Sequence, residues 1–151
     1  MNNRLVTVVL EVADLDRSVA FYRDRLGLPL AHAFPERHAA FLWVPQRGAG
    51  LLGLWSVRAA PVGLKLHVAF AVSRDELLRA GDSLRASGIT PLDFHGRPAA
   101  EPDVLAWMPA ASTYFHDPDG HLIEYLCMLD EPPRPDLGVL PYSRWLTLLA
   151  R

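Results

Sequence analysis

The chain has 151 residues, half of them hydrophobic, a formal net charge of −2 and a single cysteine, Cys127. That length suits one compact domain or two small modules, and the apolar share argues against disorder. Lysines and arginines are spread along the chain, which excludes a basic footprint for nucleic acid, and one cysteine excludes an internal disulfide or a cysteine-based zinc site.

Acidic residues come early in MNNRLVTVVLEVADLD, and no apolar run is long enough to span a bilayer. The expectation is a cytoplasmic protein without a secretory signal. Leu5–Val12 (LVTVVLEV) is rich in β-branched residues and predicts a strand. Asp14 is placed to cap the next helix, whose apolar positions Leu15, Val19, Tyr22 and Leu26 recur at helical spacing before Gly27 stops it. Three short strands follow, Leu28–Phe34, Ala39–Val44 and Gly50–Val57, separated by proline-containing connections. The order is β-α-β-β-β.

The same order then begins again. Leu64–Val72 predicts a strand, and Ser73-Arg74-Asp75-Glu76 has the spacing of a capping box, with Leu77 and Leu84 inside the helix and Gly88 at its end. Ile89–Phe94 predicts a strand, and 96–109 a loop over one face. Ala111–His116 and His121–Met128 predict a hairpin around Asp117-Pro118-Asp119-Gly120, a turn-forming run. A shift of sixty positions lays VVLEVADL over VAFAVSRD, and such repeats fix an architecture. The expected fold is α+β: two tandem βαβββ modules, about 4–57 and 64–129, whose curved sheets line a shared cleft. Residues 130–151 are expected to form a proline-rich connector and a short helix.

Within the last strand, Glu124 stands among Leu122, Ile123, Leu126 and Cys127. An unpaired buried carboxylate is costly, so Glu124 must face solvent, a partner group or a metal. Strand parity places Cys127 on the opposite face, in the core, and puts Thr7, Val9 and Glu11 on one face of the first strand. His116 and His121 flank the turn and are expected as turn or surface residues rather than ligands, and His38 is expected to be exposed.

The motifs VADLDRSVAFYRDRLGL and FHDPDGHLIEYL, in this order, resemble the vicinal oxygen chelate superfamily over residues 4 to 129. That group includes glyoxalase I, fosfomycin-resistance thiol transferases, bleomycin-resistance proteins and extradiol dioxygenases. The resemblance implies a divalent cation (Zn, Ni, Mn or Fe) in the cleft, with His67 and Glu124 at ligand positions. Thr7 falls where the family has its first-strand histidine, and Gly53 where glyoxalase I has a further glutamate. Two of four ligands therefore match. Glu124 is also the candidate catalytic residue, and Thr7, Trp55 and Tyr114 are candidate substrate-binding residues, with Trp43 and Trp107 as further aromatic wall. The resemblance implies a glyoxalase-like enzyme acting on a small oxygen-rich or electrophilic substrate with metal assistance, and the expected assembly is a homodimer through exposed sheet edges or the tail. The alternative is a non-catalytic protein that sequesters a small molecule.

Overall fold

The computed structural model describes residues 7–46, 48–56 and 64–150. The expected Leu5, Val6 and Val57 strand ends lie outside the described residues. The chain resolves into two compact units, one built from the chain up to Leu66 together with Asp117–His121, the other from His67–His116 together with the chain from Leu122 onward.

In the first unit, β1 (Thr7–Val12) leads to α1 (Leu15–Ala20), then β2 (Leu30–Phe34), β3 (Ala39–Val44) and β4 (Gly50–Ser56). The sheet order is β1-β4-β3-β2, with β1 parallel to β4 and the other pairs antiparallel. Asp14 caps α1 by accepting from the Arg17 backbone N–H. The helix does not continue in α geometry to Leu26: Phe21–Arg25 forms a π turn, with the Leu26 N–H reaching back to the Phe21 carbonyl. One face of the sheet buries Leu10, Val12, Leu42, Leu52 and Leu54; the other carries the exposed Thr7, Val9 and Glu11. Alternation along a half-buried strand accounts for both.

The second unit contains β5 (His67–Ala71), α2 (Arg74–Ala86), β6 (Asp103–Leu105), β7 (Ala110–His116), β8 (Leu122–Met128), β9 (Val139–Pro141) and α3 (Tyr142–Leu149). Its order is β5-β8-β7-β6-β9, and β5 runs parallel to β8 as β1 does to β4. The capping box is complete: the Ser73 hydroxyl accepts from the Glu76 N–H, and Glu76 accepts from the Ser73 N–H. Leu77, Val104, Ala111, Cys127, Leu140 and Trp145 form one buried cluster, so Cys127 is a core residue and the C-terminal segment completes this core. Burying side chains of this size stabilises the fold by about 1.5–3 kcal/mol each.

Two expectations are corrected here. Ile89–Phe94 is not a strand. Pro91 has no N–H to donate, and only Leu92 pairs, exchanging backbone hydrogen bonds with Tyr114 at 2.7 and 3.1 Å. Asp93 instead turns the chain by accepting from the backbone N–H groups of His95 and Arg97. The segment 96–109 is not all loop, because Asp103–Leu105 pairs with β7 on one side and β9 on the other.

Candidate functional site

The turn between β7 and β8 belongs to the first unit and explains why its polar residues are buried. Asp117 accepts from the backbone N–H groups of Asp119 and His121 and from the Tyr22 hydroxyl. Asp119 accepts from the Ala13 N–H, the Arg17 guanidinium and the Ser18 hydroxyl, and its carbonyl accepts from the Lys65 ammonium. Gly120, at φ 83°, supplies the left-handed conformation of the turn. His121 is a turn residue, one of the two places expected for it, but it is fully buried, which corrects the surface alternative. Its Nδ1 accepts from the Leu66 N–H at 3.1 Å, so its Nε2 carries the proton and donates to the Glu11 carbonyl at 2.8 Å. These groups build structure, and each buried polar atom named is paired.

The second unit brings together three of the predicted site residues. His67 opens β5, and Glu124 and Tyr114 are directly opposite one another on β8 and β7. The His67 Nε2 lies 2.9 Å from Glu124 Oε2, with the histidine side chain half exposed and the carboxylate buried. A carboxylate only accepts, so Nε2–H donates and Nδ1 is left as the acceptor. Tyr114 is the second neighbour. Burial first, then the Glu124 charge, pushes its phenol far above the ordinary tyrosine value, and it therefore stays a neutral hydrogen-bonding group beside that carboxylate. The Tyr114 and His67 rings lie 6.2 Å apart, and Phe94 meets Tyr114 edge-on at 6.3 Å. Glu124 thus faces polar neighbours from an otherwise apolar strand.

Thr7 and Trp55 belong to the first unit, on one face of its sheet. The Thr7 hydroxyl donates to the Leu51 carbonyl at 3.1 Å. Trp55 is exposed; its Nε1 donates to the Arg37 carbonyl, and the Arg37 guanidinium lies 5.6 Å from its ring. Phe34, Phe41 and Trp43 occupy the same face by strand register. Trp107 is exposed and outside the strands.

Strand register makes the two sheets comparable residue by residue. Gly53 pairs with Val9 and Phe41, as Glu124 pairs with Ala69 and Tyr114, sixty positions separating Val9 from Ala69 and Thr7 from His67. A Cβ at Gly53 would meet Phe41 at 2.9 Å and Val9 at 3.0 Å. Where the second sheet carries His67, Glu124 and Tyr114, the first carries Thr7, Gly53 and Phe41.

The family model for the glyoxalase, bleomycin resistance protein and dioxygenase superfamily matches residues 4–125. The chain belongs to this superfamily. Among solved structures similar to this superfamily member is an integron cassette protein from the mobile metagenome of the Halifax Harbour sewage outfall, with 28% identity, covering 84% of this chain and 100% of the other, at a TM-score of 0.73. A glyoxalase/bleomycin resistance protein/dioxygenase from Nocardioides shares 25% identity over 88% of each chain, at 0.65. Oxidase ChaP-H2 shares 25% identity over 85% of this chain and 96% of its own, at 0.66. The α+β fold, with mixed sheets of four and five strands, is the superfamily's own.

Members of this superfamily commonly use a divalent metal, and a catalytic site of that kind takes about three protein ligands with one position open. Among the described residues no group of three histidine, cysteine, aspartate or glutamate side chains has the arrangement to hold a metal ion. His67 and Glu124 are two. Thr7 is a weak donor already engaged with Leu51, and Gly53 has no side chain. The donor set falls short of a resident catalytic cation. The residues that sequence reasoning missed are Ser112 and Asp103, both buried on the face that carries Tyr114. Asp103 lay hidden in a segment expected to be a loop, and Ser112 carried no motif signal.

Proposed function

We propose that this superfamily member binds a small molecule at the His67–Glu124–Tyr114 group without a resident metal, in the manner of a sequestering protein. The observation that carries this reading is the pairing of Thr7 and Gly53 with positions where metal-dependent relatives need ligands: one hydroxyl is spent on a backbone carbonyl, and the other position has its side-chain space occupied by Phe41 and Val9. Without a cation, an enolate formed beside Glu124 would meet a carboxylate and no metal to hold its charge, which argues against lyase chemistry of the metal-assisted type. The rings of Tyr114 and Phe94, edge-on to one another at 6.3 Å in the same unit, support a ligand with a planar apolar part.

A second reading rests on one feature of His67. Its ring is half exposed, its tautomer is held by Glu124, and its Nδ1 has no partner among the described residues. That is the arrangement of a general base, with Glu124 as a positioning residue. In this reading His67 takes a proton from a ligand hydroxyl or activated carbon, and the positive charge it gains is held against Glu124.

The test is metal content by plasma mass spectrometry on untagged protein and on Glu124→Gln, combined with a deuterium-exchange screen of small carbonyl compounds. Substoichiometric metal in both proteins, with ligand binding and no exchange, is the expected result. Exchange by metal-free protein that disappears in His67→Gln would establish the general-base reading. Near one equivalent of metal, lost in Glu124→Gln, would overturn both in favour of a metalloenzyme.

A further inference from the structure

We infer that the face bearing His67 selects a ligand head group that donates hydrogen bonds and carries no negative charge, an alcohol or an ammonium rather than an acid. This rests on the reading that the His67–Glu124–Tyr114 group is the binding site. The sheet register sets out a polar row across three strands: Glu124 on β8 is opposite Tyr114 on β7, and Ser112, two residues before Tyr114 on the same face, is opposite Asp103 on β6. Ser112 is 1% exposed and Asp103 9%. Two carboxylates, a phenol and a hydroxyl are therefore withdrawn from water side by side.

Their hydrogen bonds are incompletely used. The Ser112 hydroxyl is directed at the Tyr114 phenol and lowers its pKa, yet its oxygen makes no hydrogen bond of ordinary geometry among the described residues. Asp103 accepts the Phe94 backbone N–H on Oδ2 at 2.8 Å, and its other oxygen accepts nothing among the described residues. A buried hydroxyl like that of Ser112 costs stability unless something pairs with it, and a functional site is one of the ordinary reasons for an exception. What the row offers is acceptor capacity: a carboxylate oxygen and a serine hydroxyl.

The charges narrow the class further. Both Glu124 and Asp103 act on the Tyr114 phenol, and both raise its pKa, so the two carboxylates are close enough to share one field. The arginines ion-paired in this unit each have a carboxylate of their own: Arg74 with Glu131, Arg85 with Asp82, Arg97 with Asp93, and Arg134 with Asp136. None of these four is among the groups that act on the Tyr114 phenol. An acid entering the row would lose its water and meet two like charges, and the one ring there able to take up a positive charge, His67, is already directed at Glu124. A hydroxyl or ammonium would find the free acceptors. Asp103 also holds the backbone of Phe94, whose ring stands edge-on to Tyr114, so the same carboxylate places an aromatic surface next to the head-group site.

The experiment uses three probes that share one ring, benzyl alcohol, benzylammonium and benzoate, titrated into the full chain and followed by the backbone amides of Ser112 and Tyr114 and by the His67 ring in protein-observed NMR. The alcohol and the ammonium are expected to shift these signals, and benzoate to bind at least about tenfold more weakly. Asp103→Asn, which keeps an acceptor for the Phe94 N–H, should bring benzylammonium and benzoate severalfold closer together; its amide spectrum away from the site reports whether the fold is kept. Ser112→Ala, a smaller change, should weaken the alcohol severalfold and serves if Asp103→Asn does not fold. Benzoate binding as tightly as the other two at these residues overturns the inference and leaves the binding site standing. If none of the three probes moves Ser112, Tyr114 or His67, the inference and the site reading fall together.

Discussion

Ser18 and Asp119, 101 positions apart in sequence, are joined by a buried hydrogen bond of 2.9 Å from the serine hydroxyl to Oδ2. The other oxygen, Oδ1, accepts from the Ala13 N–H at 3.0 Å and the Arg17 guanidinium at 2.7 Å. One carboxylate thus ties the start of α1 to the turn that precedes β8. Removing it strands three donors, one of them charged. Asp119→Ala should cost about 3 kcal/mol or more of unfolding free energy, and Asp119→Asn about 1–2 kcal/mol, read from urea denaturation. A loss below about 1 kcal/mol for the alanine variant would mean that water replaces the carboxylate at this site.

The His67–Glu124 pair should be visible both in stability and in the histidine tautomer. His67 is half exposed but donates to the buried Glu124 carboxylate, so His67→Ala should cost about 1–2 kcal/mol of unfolding free energy. Glu124→Ala leaves a buried phenol at Tyr114 and should cost about 1–3 kcal/mol. Nitrogen-15 spectra of the His67 ring should show the Nε2–H tautomer in the natural protein and a mixture in Glu124→Ala. The Nδ1–H tautomer in the natural protein would contradict the assigned hydrogen bond.

Two tyrosines set a limit at high pH. Burial pushes Tyr125 up to about 12, and Tyr114 is pushed up further by burial together with the Glu124 charge. Each is neutral in both folded and unfolded protein below the ordinary value of 10.0, so folding then gains or loses nothing from them. Above it the unfolded chain releases protons that the folded chain keeps, and stability falls as pH rises from about 10 toward 12. Phenolate absorbance from these two residues should therefore appear together with alkaline unfolding, and Tyr125→Phe should flatten the decline. Early ionisation of Tyr125 in the folded protein would refute its burial.

Glu76 sets a limit at low pH. Its carboxylate is held below the ordinary value of 4.5, first by the Ser73 hydroxyl and then by the Ser73 backbone N–H. A depressed folded pKa means that the capping box contributes above 4.5 and loses its contribution as pH falls through the lower, folded value. Unfolding curves of Glu76→Gln should lie below those of the natural protein at neutral pH and converge with them in acid. Parallel curves across that window would show that the cap does not titrate.

Much of the architecture was legible locally. Asp14 and the Ser73–Glu76 pair are capping signals, and both caps form because their side chains act within three or four residues of sequence. The sixty-residue repeat is visible in the register itself, where Val9 opposite Gly53 matches Ala69 opposite Glu124. Ile89–Phe94 looked like a strand because it alternates apolar residues, yet Pro91 and the Asp93 turn allow only Leu92 to pair. His121 looked exposed because it follows a glycine turn, and no local signal distinguishes a turn in water from one enclosed by residues a hundred positions away.

By itself, then, the sequence determined the α+β class, the order of elements in the first module, the caps, and the places of His67 and Glu124 on equivalent strands, since each depends on periodicity or on neighbours a few residues apart. Only the tertiary structure decided that Glu124 pairs with His67 at 2.9 Å, that Asp103 and Ser112 extend the polar row, and that Phe41 and Val9 fill the space at Gly53. The physical reason is that hydrogen bonds, desolvation and steric exclusion depend on which side chains are brought together across strands, and strand pairing between distant segments leaves no periodic trace in the chain.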